Sequence, residues 1–434
     1  MRLLALFMPD LALVRPSVRP SHSMHSMRTS VGCVRTSVGC VRMLCVPPSL
    51  ESLTVVQLKE QLRARGLRVS GRKAELIERL SAPPAPPAPP APPSSPPPPS
   101  RPPSTAAAAG AIPMDPTPRG SRRPGTRLLR AASWNVAGLR GLLKRDEGCA
   151  TLRALVDDED VDVLLLQETK LQEIHVPDVE AQLLELLGSG GGGGASSWRV
   201  SWSCSTARKG YSGVATLWRE RVGEAVCAPL AVDPQHEADR EGRTLLWECR
   251  VGGSGGGSGA GGVADGTSLL KLVNVYVPNA GADLQRLEYR TSADGWDARL
   301  RLAVSDAAAD GAHVCVGGDM NAVVEDADFH NPTAKHTLTQ AGTTPAERAS
   351  MRLYTAPPLS MSDAFRLLWP RKTGQFTYWS QRARSRPVNR GLRIDYFLLG
   401  SSVPAAAVVD AQHLQQLHGS DHAPILVELD LDQL

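Results

Sequence analysis

From Pro83 to Pro103 the chain reads PPAPPAPPAPPSSPPPPSRPP, and two residues in three are proline. Proline fixes φ and lacks an N–H, so this stretch can form neither a helix interior nor a ladder strand. It is a semi-extended tether. The chain is therefore two folding problems, each with its own core. Residues 83–127, rich in Pro, Ala and Ser, form the linker. A short piece, 50–82, precedes it, and a long piece, 128–434, follows.

Residues 1–49 differ from the rest. They carry Arg2, Arg15, Arg19, Arg28, Arg35 and Arg42 against one acid, Asp10, and repeat RTSVGCV in tandem from Arg28 to Val41. An Arg-rich, Ser-rich, acid-poor stretch has the texture of an organelle transit peptide. A disordered leader, or residues from a misplaced start codon, would look the same.

The formal net charge of +4 is compatible with a polyanionic partner without demanding one. The eight cysteines form no CxxC pair, which fits reduced thiols rather than a disulfide framework. Cys249 and Cys315 lie in apolar runs and are expected to be buried. No run reaches the ~18 apolar residues of a membrane helix.

The short piece has two helical patterns. Thr54 precedes Val55, Leu58 and Leu62 at helical spacing, and Gln57 can close a capping box with it. Gly66 ends this helix. Ser70 starts a second, with Leu76, Ile77 and Leu80 on its inner face. Lys59, Arg63, Arg65, Arg68, Arg72 and Lys73 are placed on the outer surface. The pattern, to its SGRKAELIERL end, resembles a SAP module. That resemblance implies attachment to double-stranded DNA, with Lys59, Arg63, Arg72 and Lys73 as contacts.

The long piece alternates apolar runs with turns. LLRAASWN, VDVLLLQ, GVATLW, RTLLWEC, LLKLVNVYV, AHVCVGG, RIDYFLLG and ILVELDL read as strands. Helical patterns fall near Leu152 to Val156, Glu288 to Val304 and Asp363 to Leu368. Many strands with few helices predict an α/β fold of two packed sheets flanked by helices, a four-layered sandwich. Glycine runs at 188–194 and 252–262 are loop inserts, the second an overgrown hairpin connection. Neither has the context of a phosphate loop.

Polar residues recur where these strands stop: Asn135, Glu168, Tyr276, Asn279, Asp319, Asn321, Asp395, Asp421 and His422. Singly, each has a plain structural explanation; Glu168 could pair with Lys170, and Asp395 with Arg393. Gathered at strand ends they suit phosphodiester hydrolysis. Carboxylates such as Glu168 and Asp421 can hold a hard divalent cation. Asp319 beside Asn321 can orient or deprotonate water. His422, held by Asp395, can donate to a phosphoryl oxygen.

The stretches WNVAGLR, LLLQETK, GYSGV, EGR, YVPNAG, RLEYR, GDMNAVVEDAD, AGTTPAER, DAFRLLWP, TYWS, RIDYFLL and GSDHAP resemble the exonuclease III family of apurinic/apyrimidinic endonucleases. The SAP-like module in front resembles the plant-type members. The resemblance implies a monomeric, Mg2+-dependent enzyme (Mn2+ also serving) that acts on double-stranded DNA containing abasic sites. It would incise 5′ to the lesion in base excision repair, with 3′–5′ exonuclease and 3′-phosphodiesterase activity. Asn135, Tyr276, Asp319, Asn321, Asp395 and His422 become the catalytic set. Glu168 and Asp421 become metal ligands, with Asp319 and Asn321 beside them. Asn279 and Tyr276 contact the scissile phosphate.

Some positions depart from the family. Ala137 stands where an acid or amide commonly follows WNV, and Ala282 where an arginine enters the DNA groove. Arg382 replaces a methionine, and Leu392 replaces a tryptophan that lines the abasic pocket opposite Tyr378. Arg382, Arg384, Arg386, Arg390 and Arg393 crowd one loop, where arginines are expected to grip phosphates. Two rivals stay open: a phosphatase or RNase of the same superfamily, and a DNA-bound redox protein of low activity. The expected location is the nucleus, a chloroplast or a mitochondrion.

Overall fold

The computed structural model describes residues 50–65, 67, 73–81, 125–188, 197–232, 237–252 and 267–434. The Arg-rich leader, the tether, Gly66, Arg68, Ser70, Arg72 and most of both glycine runs lie outside the described residues. The chain divides into two compact units at Ser100.

In the first unit, Thr54 caps the helix Val55–Ala64. Its N–H donates to Gln57 Oε1 at 2.9 Å, and its Oγ1 accepts from Gln57 N, so the box closes. A second helix spans Lys73–Ser81. Leu53, Leu58, Leu62, Leu76 and Leu80 form a small buried core. Val55, expected on the inner stripe, is instead 39 % exposed, and Leu53 closes the core from before the cap. Arg65 donates to Leu80 O (2.8 Å), tying the end of the first helix to the second, and Lys73 donates to Glu51 O (2.9 Å), tying the second helix to the turn before the first.

The second unit contains strands β1 (Leu128–Asn135), β2 (Val163–Gln167), β3 (Trp198–Ser203), β4 (Val214–Arg219), β5 (Ala225–Ala228) and β6 (Thr244–Gly252). They are followed by β7 (Thr267–Tyr276), β8 (His313–Asp319), β9 (Ser362–Asp363), β10 (Asp395–Leu399), β11 (Val408–His413) and β12 (Ile425–Asp430). One six-stranded sheet has the order β11-β12-β1-β2-β4-β3, the other β5-β6-β7-β8-β10-β9. Leu129, Ala131, Leu165 and Val427 from the first sheet meet Trp247, Leu272, Cys315 and Phe397 from the second in the central core. Burial of each large apolar side chain there contributes about 1.5–3 kcal/mol. On the outer face of the first sheet pack the helices Asp146–Asp157 and Val176–Gly188, through Leu152, Leu155 and Leu183. Trp296–Ala307 and Pro345–Thr355 cover the second, through Trp296, Leu300 and Met351. The four-layered sandwich is thus the observed architecture.

One expected helix is two. The pattern from Glu288 to Val304 breaks into Leu287–Thr291 and Trp296–Ala307. Gly295 stands between them, where a Cβ would meet Tyr289 O at 2.7 Å. The strands on either side of the second glycine run, β6 and β7, pair antiparallel out to Gly252 and Thr267, as a hairpin requires.

Two features set the site. First, β1 runs parallel to β2 and β7 parallel to β8, while β12 and β10 run antiparallel to these pairs. The C-terminal ends of four strands therefore meet the N-terminal ends of two others at one rim. Second, the sheets close tightly under that rim. A Cβ at Gly317 would lie 2.7 Å from Leu165 Cδ1 of the opposite sheet. Beside it, Gln167 donates to Asn274 Oδ1 at 2.8 Å, a polar link across the core.

Candidate active site

At the rim, Asn135 ends β1, Glu168 follows β2, Tyr276 ends β7, Asp319 ends β8 and Asp395 begins β10. Asp421 and His422 precede β12. The chain turns sharply at three of these ends: Ala137, Glu168 and Asn321 have φ of 50°, 50° and 49°. Non-glycine residues in the left-handed region carry a local cost, tolerated where the surroundings fix them.

The Asn135 amide bridges two carboxylates, donating to Glu168 Oε1 (3.1 Å) and Asp319 Oδ2 (2.9 Å). Asp319 Oδ1 accepts from Asn321 N at 2.8 Å. Asn321 Oδ1 accepts from Asn279 Nδ2 at 2.7 Å, so these two amides form one row. His422 Nδ1 lies 2.8 Å from Asp395 Oδ2, and its Nε2 lies 3.9 Å from Asp319 Oδ2. Thr377 Oγ1 accepts from the N–H groups of Ile394 and Asp395 at 3.0 and 3.1 Å, fixing the start of β10. Glu168, Tyr276, Asn279, Asn321, Asp421 and His422 all face one cavity of about 460 Å³.

Electrostatics follow from this placement. Burial works to discharge His422, but Asp395's charge and hydrogen bond, with Asp319 and Asp421 beyond, push it up to about 10. Burial and the neighbouring Asp395 push Asp319 up to about 7. For Glu168, burial is overcome by Lys170, 2.6 Å away, and by Asn135, so its carboxyl sits below the usual range. Burial, with Glu168 hydrogen-bonded beside it, drives the Tyr276 hydroxyl well above its ordinary value.

The pocket wall pairs as a miniature ladder. Tyr378 and Leu392 exchange backbone hydrogen bonds at 2.9 Å each, and Tyr378 also bridges to His422. The Tyr378 ring lies 5.0 Å from the imidazole, tilted by 51°. Ala282 lines the same cavity. Ala137 does not offer a side-chain donor; its N–H donates to Asn135 Oδ1 at 3.0 Å.

The arginine loop divides. Arg382, Arg384 and Arg390 are exposed. Two others correct the expectation of phosphate grips. Arg393 is fully buried and pairs with Asp328 and Asp363, not with Asp395. Arg386 turns inward to the carbonyls of Gln415, Leu417 and Ser420. In the first unit, Lys59 is half-buried, Arg63 and Lys73 are exposed, and Arg72 lies outside the described residues.

Sequence reasoning missed Arg290. It is fully buried, donates to Asn321 O at 2.8 Å and to Met320 O, and pairs with Asp297 and Glu347. The RLEYR motif contains it, but nothing in its spacing says that it points inward.

The Endonuclease/Exonuclease/phosphatase family model matches residues 132–422, and a SAP domain model matches 49–81. A "DNA repair nuclease APEX1" from Danio rerio is 32 % identical over 305 residues, covering 69 % of this chain and 82 % of that protein. An exodeoxyribonuclease from Bacillus subtilis is 27 % identical over 297 residues, 68 % of this chain and 98 % of that protein. Among solved structures, an AP endonuclease from Leishmania major superposes with a TM-score of 0.57 at 30 % identity, covering 70 % of this chain and 88 % of that one. The chain belongs to the Endonuclease/Exonuclease/phosphatase family and carries a SAP domain in front of the family's sandwich.

Proposed function

We propose that this protein hydrolyses DNA phosphodiester bonds on the 5′ side of abasic sites, and trims 3′ ends, in base excision repair. The observation that carries the reading is the convergence of Glu168, Asp319, Asn321 and His422 on one cavity, with Asp395 buried behind His422. The named functions of the relatives favour a DNA substrate.

The donor set fits a hard divalent cation. Glu168, Asp319 and Asp421 bring carboxylate oxygens to the cavity, with the Asn321 amide beside them. Glu168 and Asp421 would hold Mg2+ or Mn2+, next to Asp319 and Asn321. Bound there, the cation would offset negative charge building on the phosphate. Asp319, Asp395 and His422 also form a compact ligand-like group, with atoms within 4.8 Å of one another. We assign that group to catalysis, because Asp395 Oδ2 is already committed to His422.

The chain's own residues then divide the work. Asp319, as carboxylate, takes the proton of the attacking water, and Asn321 and Asn279 orient the reactants. The new P–O bond forms as the bond to the 3′-oxygen breaks, and that oxygen leaves as a hydroxyl on taking a proton from solvent. His422, held charged by Asp395, donates to a phosphoryl oxygen. The Tyr378–Leu392 wall receives the extruded sugar. The exposed Arg382, Arg384 and Arg390 meet backbone phosphates. The SAP domain attaches to duplex DNA through Lys59, Arg63, Arg72 and Lys73. Burial pushes the Cys204 and Cys227 thiols up to about 11, which disfavours the redox alternative. No helix among the described residues is long and apolar enough to cross a membrane. We place the enzyme, as a monomer, in the nucleus or a DNA-containing organelle.

The test is incubation of the purified protein with a duplex holding one abasic site, with Mg2+ and with EDTA. A single Mg2+-dependent nick 5′ to the lesion supports the reading. An intact duplex alongside release of phosphate from inositol phosphates, or shortening of poly(A), overturns it.

A further inference from the structure

The turn that presents Asp421 and His422 lacks regular structure from Leu414 to Pro424. Its backbone carbonyls are met by side chains from elsewhere. Thr151 donates to His418 O at 2.6 Å, and Arg145 to Gly419 O at 2.5 Å. Arg386 supplies the largest share. Its Nη1 donates to Ser420 O (3.1 Å), and its Nη2 to Gln415 O (3.0 Å) and Leu417 O (2.7 Å). The guanidinium lies over the Trp379 ring, 4.6 Å from its centroid. Trp379 N in turn donates to Asp421 O at 2.9 Å, and Ala423 N to Thr377 O at 2.7 Å. One planar cation therefore ties the loop carrying Tyr378 to the turn carrying Asp421 and His422.

We propose that Arg386 is a positioning residue for catalysis: a clamp that fixes the Asp421–His422 turn, rather than a contact to DNA phosphate. This rests on the reading of Asp421 and His422 as site residues. Both terminal nitrogens of Arg386 are occupied by carbonyls inside the protein, unlike those of exposed Arg382 and Arg390. A half-buried fork with three acceptors is a role that a point charge cannot reproduce. Freed of its clamp, the turn would let the imidazole drift, and misplacement by about 1 Å costs on the order of 10²-fold in rate.

The experiment compares the full chain with Arg386→Ala and Arg386→Lys, using an abasic duplex with Mg2+ across a salt titration. Hydrogen–deuterium exchange is read over residues 415–423. The clamp predicts a fall in kcat of about 10²-fold for both variants. KM and the salt slope should stay within about twofold, and exchange in 415–423 should rise about tenfold. A phosphate contact predicts the reverse: raised KM, a flatter salt slope, unchanged kcat, unchanged exchange, and substantial retention of function by Lys. That pattern, or unchanged exchange alone, overturns the proposal. If Arg386→Ala does not fold, Arg386→Lys carries the comparison. Wild-type protein that leaves the abasic duplex intact would sink the proposed function instead, and the exchange measurement still decides the clamp.

Discussion

His422 Nδ1 lies 2.8 Å from Asp395 Oδ2, with the imidazole side chain 5 % exposed and the aspartate fully buried. On the proposed mechanism the pair is a charged donor whose own atoms are largely shielded from water. His422→Ala should lower kcat and kcat/KM together, by roughly 10²–10³. Asp395→Asn keeps the shape and removes the charge that holds the ring protonated, so it should also slow turnover. Steady-state kinetics paired with thermal melts check this. Near-normal kcat in a folded His422→Ala protein would end the catalytic role.

Glu168 is bridged to Asp319 through Asn135 and paired with Lys170. Glu168→Ala should reduce activity and raise the Mg2+ concentration needed for half-maximal rate. A Mg2+ titration of both proteins reads the shift. Cleavage that persists undiminished in excess EDTA would remove the metal from the scheme.

The SAP domain buries only a small leucine core and leaves Arg63 and Lys73 exposed. Deleting residues 50–81 should weaken binding of long duplex DNA. It should also flatten the salt dependence by about 0.9 in log–log slope for each phosphate no longer neutralised. Incision of a short duplex should be nearly unchanged. Filter binding across a salt series distinguishes this from a purely structural module, whose removal would leave the slope as it was.

Asp328 is fully buried between Arg393 and Arg366. Burial alone would raise its pKa, yet the arginines hold it down to about 2. A depressed carboxyl stabilises the fold above its unfolded pKa, near 4, and that contribution drains away between about pH 4 and pH 2. On these shifts it amounts to about 2 kcal/mol. Asp328→Asn removes the charge shared by buried Arg393, which keeps only Asp363, and half-buried Arg366, and should cost about 3 kcal/mol at neutral pH. Urea melts at pH 7 and pH 3 read both effects; the mutant's penalty should shrink at the lower pH.

Much of the fold and of the site is legible in the sequence. Strand-end polar residues announce themselves because apolar runs stop abruptly, as at VDVLLLQ-Glu168 and AHVCVGG-Asp319. The capping box of Thr54 and Gln57 is a local geometry, so local spacing reveals it. The helix Pro345–Thr355 carries the same signature, Thr344 with Glu347 and proline at the first turn, inside a motif that family likeness alone had marked. Strand β11 was not legible, since VVDAQH is short and half polar at a sheet edge. Arg386, Arg393 and Arg290 show the deeper limit. Whether an arginine faces solvent or carbonyls depends on partners dozens of residues away, such as Gln415 or Asp328. Composition sees the same charge in either case.

Tyr378 pairs through its backbone with Leu392 on one side and His422 on the other. On the proposed function, the wall that would receive the lesion and the histidine that would act on it are thus joined through one residue, Tyr378. Directed evolution aimed at a bulkier substrate through positions 378 and 392 will drag turnover with it. Ala282 lies on a separate loop of the same cavity. On the same proposal, it is the position where lesion choice could drift between descendants while the chemistry stays still.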